Sequence, residues 1–339
     1  MNFPRISIVI PSYNQGQFLE ETILSVINQQ YPDLELFVVD GGSNDNSVDI
    51  IKKYESYITW WISEKDKGQS EAINKGISKA TGEIISWLCS DDLLTPGSLQ
   101  IVASCFSAAD EKVGLIHGGA IIFEEDKIKE TRFTYQSPNR EAYLAGMVFP
   151  QPAAFFRKSF LNKVGVLNES LHYGMDYDLF LRLCLVCDFL PVNDVLAKYR
   201  LHKKSKSVAE SNRFINDWKK SFVNLCKFFS WGEEINTLKK SGLYIEEINY
   251  QSNFVFETEK SIVASIDKRK TLCFHLGHVL KDLYWTGQID KSQKLLKQMK
   301  SNFPHQWFEE DKRLMRVMAK LGLPGFALSS LKRIKKFFK

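Results

Sequence analysis

The chain is predicted to be an α/β protein: a doubly wound, mostly parallel sheet flanked by helices, followed by a smaller helical C-terminal region. Three observations predict this. Short β-branched runs alternate with amphipathic helical stretches through the first hundred residues. Polar turns rich in Gly, Asp and Ser follow the strand-like runs, and beyond about residue 205 the apolar spacing is helical throughout.

Residues 6–10 (ISIVI) form the first strand, and 18–30 set Leu19, Ile23, Val26 and Ile27 at helical spacing. A second apolar strand covers 34–39 and a helix 47–54. The alternation continues with a strand at 58–62, a helix at 70–80, a strand at 84–88 and a helix at 93–106 that has Pro96 near its first turn. Successive βαβ units of this kind place ligands at the carboxyl ends of the strands. After residue 108 the rhythm changes to antiparallel strands at 113–123 and 128–134, helices at 139–145 and 158–164, and an amphipathic helix over 176–187. Helices are then expected at 218–229, 245–263, 271–286 and 291–299. The stretches 272–285 and 291–302, joined by TGQID, read as one helical hairpin, since no second copy marks a repeat array. The break near 205–215 divides the chain into an α/β domain, 1–205, and a basic helical region, 206–339.

With 339 residues, 44% hydrophobic and 25% charged, the chain is long enough for a sizeable core, and extended disorder and collagen-like structure are excluded. The net charge of +5 conceals an asymmetry. Residues 1–200 hold 18 Lys and Arg against 26 Asp and Glu, whereas 201–339 hold 27 against 14. The basic half is suited to an acidic surface such as anionic lipid or phosphate. It lacks the interleaved aromatic and basic pattern of a nucleic-acid face, so no nucleic acid is expected. The six cysteines follow no regular framework and lie among apolar neighbours, as reduced, buried thiols do. Cys184 and Cys187 form a C-x-x-C inside an apolar helical run without a second pair, and packing is the expected role. Without a long apolar span or a leader-like start, the expected location is the cytoplasm. The end of the chain sets Leu331, Ile334, Phe337 and Phe338 among Lys332, Arg333, Lys335, Lys336 and Lys339. This short basic amphipathic segment suits peripheral contact with the inner face of an anionic plasma membrane.

Four strand ends carry the candidate chemistry. PSYNQG (11–16) lacks the G-x-G-x-x-G of a dinucleotide turn and offers Tyr13 and short polar groups to a base; an ordinary turn fits as well. In VVDGGSNDNS, Asp40 ends the second strand and Gly41 and Gly42 permit close approach of a ligand, while Asp45 or Asn46 can cap the next helix. In SEKDKGQS, Asp66, Lys67, Gly68 and Gln69 lead into a helix whose N–H groups face an anion. In WLCSDDLLTPGS, the adjacent Asp91 and Asp92 repel each other unless a cation or donors meet them; Mg²⁺ or Mn²⁺ prefers such oxygens, and a doubled N-cap is the other reading.

Taken together and in this order, PSYN, VVDGGSNDNS, D-x-G-Q and SDD-x-x-x-P-G-S resemble the family 2 glycosyltransferases, inverting enzymes of the GT-A fold that use nucleotide-sugar donors. The resemblance covers roughly residues 4–203. It implies that Pro11, Ser12, Tyr13, Asn14, Asp40 and Gly41 hold the nucleoside, with Asp66, Lys67, Gly68 and Gln69 completing the pocket. The family's D-x-D signature falls on Cys89-Ser90-Asp91. The first Asp is absent, which leaves Asp91 as the main carboxylate toward a divalent metal, Mn²⁺ or Mg²⁺, with Asp92 beside it. In HYGMDYDLFLRL, Asp176 occupies the position of the general base, and Asp178 is placed to cap the helix. GMVFPQPAAFFRK resembles the segment before the acceptor site, so Gln151, Pro152 and Tyr173 become candidates for the acceptor. YRLHKKSKS resembles an R-x-H element near the donor phosphates, which marks Arg200 for the diphosphate and His202 for the metal. The implied activity is transfer of a sugar from a nucleoside diphosphate donor, expected to be a UDP-sugar, to a hydroxyl of a glycan or lipid-linked acceptor in surface polysaccharide biosynthesis. The alternative is a non-catalytic nucleotide-sugar binding module. His275, His278 and Cys273 share one helix face and are expected to pack rather than bind metal, and Trp60, Trp61 and Trp87 are expected to fill the core.

Overall fold

The computed structural model describes residues 4–125, 127–133, 139–203, 205–206, 211–245 and 256–322. Its frame is one mixed, nine-stranded sheet. The strands β1 (Ile6–Ser12), β2 (Leu34–Asp40), β3 (Trp60–Ser63) and β4 (Ile84–Trp87) run parallel in the order β3-β2-β1-β4. All seven residues of β1 are buried, as befits a central strand covered on both faces. The helices α1 (Gly16–Ile27), α2 (Ser47–Lys53) and α3 (Gln69–Lys79) connect these strands. In α3, Gly76 lets the helix sit so close to β1 that a Cβ there would lie 2.4 Å from Val9 Cγ1.

Beyond β4 the sheet becomes mixed. β8 (Ala154–Arg157) pairs antiparallel with β4 and with β6 (Val113–Glu124), and β6 also pairs with its hairpin partner β7 (Lys127–Arg132). β9 (Asp188–Arg200) runs parallel to β6 through three register shifts, and the two-residue β5 (Leu93–Leu94) closes the far edge against β9. The expected antiparallel pair is therefore present, while β5, β8 and β9 were not visible in the sequence pattern. Pro191, Asn193 and Asp194 interrupt the period of two in β9, which the bulges against β6 absorb.

Two helix bounds differ from expectation. Instead of starting at 93, α4 spans Ser98–Ala108. Gly97 turns the chain at φ +79°, and the Ser98 hydroxyl donates to the Leu196 carbonyl at 2.7 Å, so Leu93 and Leu94 are held in the sheet. The helix expected over 176–187 is α7 (Met175–Leu183), and tight turns at Leu185–Cys187 end it before β9. The smaller helices α5 (Arg140–Ala145) and α6 (Lys158–Val164) lie where expected.

The helical region comprises Ser211–Phe228, Gly232–Lys240, Lys260–Ala264, Lys268–Trp285, Ile289–Asn302, His305–Glu309 and Lys312–Leu321 among the described residues. Lys268–Trp285 and Ile289–Asn302 form the expected hairpin. Most of the expected helix at 245–263 and the whole segment 331–339 lie outside the described residues. The apolar core is continuous from Val9 and Trp87 through Phe180, Phe222 and Leu276 to Leu321. His275 fills this core, stacked on Phe222 at 3.9 Å with Nδ1 2.9 Å from the Ala145 carbonyl oxygen, and burial pushes its pKa down to about 4. Trp87 is buried, but Trp60 and Trp61 are only half-buried on β3, contrary to expectation. Cys184 and Cys187 are buried, with Arg140 donating to the Cys187 carbonyl at 3.0 Å.

Candidate functional site

The register of the parallel strands sets the site. Ser12, Asp40 and Ser63 are register partners across β1, β2 and β3, and Val9 partners Trp87. The loops after β1, β3 and β4 consequently open on one edge, where a cavity of about 400 Å³ forms between them, the start of α7 and the segment after β9. Of the sequence-predicted residues, Pro11, Ser12, Tyr13, Asp66, Gly68, Gln69, Asp91, Asp92, Gln151, Tyr173 and Asp176 line this cavity.

The wall expected to meet the nucleoside is built from the β1 loop. Tyr13 is 59% exposed, a ring offered without a covering partner among the described residues. Ser12 Oγ and Gln15 Oε1 are buried and have no hydrogen-bond partner among the described residues, and both residues line the cavity. Asn14, at φ +51°, serves the loop instead. Its backbone N–H donates to Ser43 Oγ at 2.7 Å, and its side-chain oxygen accepts from the Asn44 N–H at 2.9 Å.

Asp40 and Gly41 shape the wall from behind. The Asp40 carboxylate is fully buried and accepts from the Gly42 and Ser43 N–H groups and from the hydroxyls of Ser43 and Ser63. It is spent on its own turn rather than turned to the cavity. Gly41 makes room for Asp66, whose Oδ2 would lie 2.7 Å from a Cβ at position 41. Asp66 in turn accepts from the Gly68 N–H at 2.9 Å. Gly68 opens α3 at φ +135°, a conformation that favours glycine. Lys67 is exposed and outside the cavity wall.

Cys89, Asp91 and Asp92 follow β4, and their ligand atoms lie within 4.8 Å of one another. They are not equivalent. Asp92 is 2% exposed and accepts from the Arg200 N–H at 3.0 Å; burial, reinforced by Asp91, pushes its carboxyl well above the usual range. Burial likewise holds the Cys89 thiol well above its ordinary value, and it accepts from Gln69 Nε2 at 3.2 Å. Asp91 is the accessible carboxylate, with His202 Nε2 2.9 Å from its Oδ2. A carboxylate beside an imidazole is a donor set that Mn²⁺ accepts.

Arg200 is not brought to the cavity. Its guanidinium lies between the rings of Phe18 and Phe123, at 4.8 and 4.5 Å, donates to the Asp91 carbonyl at 2.9 Å and pairs with Glu21. It props up the Asp91 loop from behind. Pro152 is also buried behind the wall, within the turn that aims Gln151. Gln151 donates to the Trp87 carbonyl at 2.9 Å.

The opposite wall is the start of α7. Asp176 sits in its first turn, and the Tyr177 N–H donates to Asp176 Oδ1 at 2.7 Å. Burial pushes the Asp176 carboxyl up to about 6; neighbouring N–H groups and Lys206 oppose the shift, and Asp217 adds to it. Asp178 does not cap this helix. It is fully buried and paired with Arg182 at 2.9 Å, and Arg182 donates to the carbonyls of Val164, Gly165 and Val166. The preceding loop is held by Asp217, which accepts from the Tyr173 and Gly174 N–H groups at 3.0 and 3.2 Å.

Sequence reasoning missed His172, Phe214 and Lys206, which line the cavity, and Asp217, which holds the loop before α7. They come from a loop, a distant helix and a lysine-rich stretch in which no spacing distinguishes one residue from the next.

Comparison with known proteins agrees with this geometry. The family model described as Glycosyl transferase family 2 matches residues 7–165. An uncharacterized glycosyltransferase of Mycobacterium tuberculosis (strain CDC 1551 / Oshkosh) is 31% identical over 202 residues, which cover 58% of this chain and 75% of that protein. An uncharacterized glycosyltransferase of Rickettsia felis is 28% identical over 240 residues, 65% of this chain but only 38% of the relative's length. Among solved structures, S. aureus TarS in complex with UDP-GlcNAc superposes with a TM-score of 0.58 at 12% identity, covering 97% of this chain and 92% of that one. The mannosyltransferase PcManGT from Pyrobaculum calidifontis, in complex with GDP-Man and Mn²⁺, does so with a TM-score of 0.53 at 16% identity, covering 95% and 88%. At such identities the two structures show a shared fold.

Proposed function

The chain belongs to glycosyltransferase family 2, and on that premise we propose that it transfers a sugar, with inversion, from a nucleoside diphosphate donor to a hydroxyl of a glycan or lipid-linked acceptor. The observation that carries this reading is the position of Asp176, whose carboxyl is raised to about 6 and faces the Asp91 loop across one cavity. An acceptor hydroxyl must lose its proton as it attacks the anomeric carbon, and a carboxylate with a raised pKa is a stronger base than an exposed one. Ionised near neutral pH, Asp176 takes that proton in a single displacement.

The donor is placed by the β1 loop and by α3. Tyr13 offers a stacking face to the base, and Ser12 and Gln15 line the same cavity. Asp91 and His202 would hold a divalent metal, which when bound neutralises charge on the departing diphosphate. The structures of TarS with UDP-GlcNAc and of PcManGT with GDP-Man and Mn²⁺ support a nucleotide-sugar donor and a metal by analogy of fold. Tyr173 and Gln151 line the same cavity as Asp176 and are the residues assigned to the acceptor. A role in surface polysaccharide synthesis, and contact of residues 331–339 with anionic lipid at the cytoplasmic face, rest on the sequence pattern. Among the described residues no helix is long and apolar enough to cross a membrane.

Asp176→Asn tests the assignment. The variant should keep its stabilisation by donor and lose about 10²- to 10⁴-fold in transfer. Transfer at the wild-type rate would remove Asp176 as the base.

A further inference from the structure

The cation expected over the donor phosphates, Arg200, is committed elsewhere, between two aromatic rings and against Glu21. A different cation occupies the cavity. Lys206 lies on its wall, with Nζ donating to Gln69 Oε1 at 3.0 Å and to the His172 carbonyl at 3.3 Å. Both partners are neutral oxygens. Among the described residues Lys206 forms no ion pair within 4 Å, although Asp66, Asp91 and Asp176 are near enough to act on its charge. An ammonium has three N–H donors, and two are used.

We propose that Lys206 is the residue that grips the donor diphosphate, its ammonium set by Gln69 and His172 to meet an anion across the cavity from Asp91. The inference rests on the nucleotide-sugar reading above. Three features favour a phosphate as the occupant. The present partners of Lys206 carry no charge, so an anion gains more from it than they do. Asp66, Asp91 and Asp176 act to keep Lys206 charged against the desolvation that lowers its pKa, so the exposed side chain presents a cation at the cavity wall. Gln69, which positions Lys206, also donates to Cys89, so the thiol standing where the family signature has an Asp is tied to the ammonium through one amide.

The test is calorimetric binding of UDP, GDP, uridine and guanosine, in the presence of Mn²⁺, to the full chain, to Lys206→Met and to Lys206→Arg, each checked for an unchanged thermal transition. The wild type is expected to prefer one diphosphate over its nucleoside. Lys206→Met should weaken that diphosphate by at least about tenfold and leave the nucleoside unaffected, and Lys206→Arg should recover most of the loss. A diphosphate affinity unchanged in Lys206→Met, with binding intact in the wild type, overturns the inference alone. If the wild type binds none of the four compounds, the nucleotide-sugar reading falls and this inference with it.

Discussion

Asp176 works under two opposed demands, and its pKa shows how they are met. Burial raises it from 3.8 to about 6. In the proposed mechanism the ionised form is the base, so transfer should fall about tenfold per pH unit below 6 and level off above it. A pH–rate profile for transfer checks this; a profile flat from pH 4 to 8 would show that another group takes the proton. The same shift has a consequence for stability. A carboxyl whose pKa is raised on folding stabilises the fold while protonated, and that contribution is lost as pH rises from about 4 through 6. Asp176→Asn should therefore melt higher than wild type at pH 7. Since the side chain keeps some contact with the open cavity, the gain is on the order of 1 kcal/mol. Asp176, Asp91, Gln69 and Tyr13 were legible in the sequence because each follows a strand end or opens a helix within a recognisable motif. Lys206 and Asp217 were not. Lys206 lies in a run of like residues, and Asp217 reaches the Tyr173–Gly174 backbone from a helix more than forty positions away.

At the scale of elements, position is set by a few close approaches and one buried ion pair. α3 brings Gln69 and Gly68 to the cavity only because Gly76 lets it lie against β1. Gly76→Ala would drive a methyl into Val9 and should cost about 1–3 kcal/mol in a denaturant melt, with weaker donor binding as α3 shifts. α7 is anchored by Arg182, fully buried and bonded to Asp178 and to three carbonyls of the 164–166 turn. Arg182→Leu leaves Asp178 buried without its charge partner and should destabilise the chain by about 3–5 kcal/mol. Loss of less than 1 kcal/mol would mean that Asp178 is satisfied without it. The strands β1 to β4 were visible in the sequence because an apolar run bounded by polar turns is a local signal. β8 and β9 were hidden, since four residues leading directly into a helix, and a strand broken by Pro191 and Asp194, owe their state to pairing with β6.

Across the whole molecule, the helical region is part of the site rather than an addition to it. Its first long helix supplies Asp217 and Phe214, and its apolar face continues the core that backs the sheet. We propose that residues 206–339 complete the fold of 1–205. A chain ending at residue 205 should then fail to give a cooperative transition, whereas the full chain melts in one step. Most of the cavity wall comes from the acidic half, and the basic half, with 27 Lys and Arg against 14 Asp and Glu, adds Ser205, Lys206 and Phe214 to it.

The central claim is that the cavity at the ends of β1 to β4 takes a nucleotide sugar with a divalent metal at Asp91. Thermal stabilisation of the full chain by a panel of nucleoside diphosphates and nucleotide sugars, with and without Mn²⁺ and repeated on Asp91→Ala, tests it most directly. The account predicts a rise in Tm with one nucleoside class that requires Mn²⁺ and disappears in the variant. A rise that is the same without metal and in Asp91→Ala, or no rise with any donor, would contradict it.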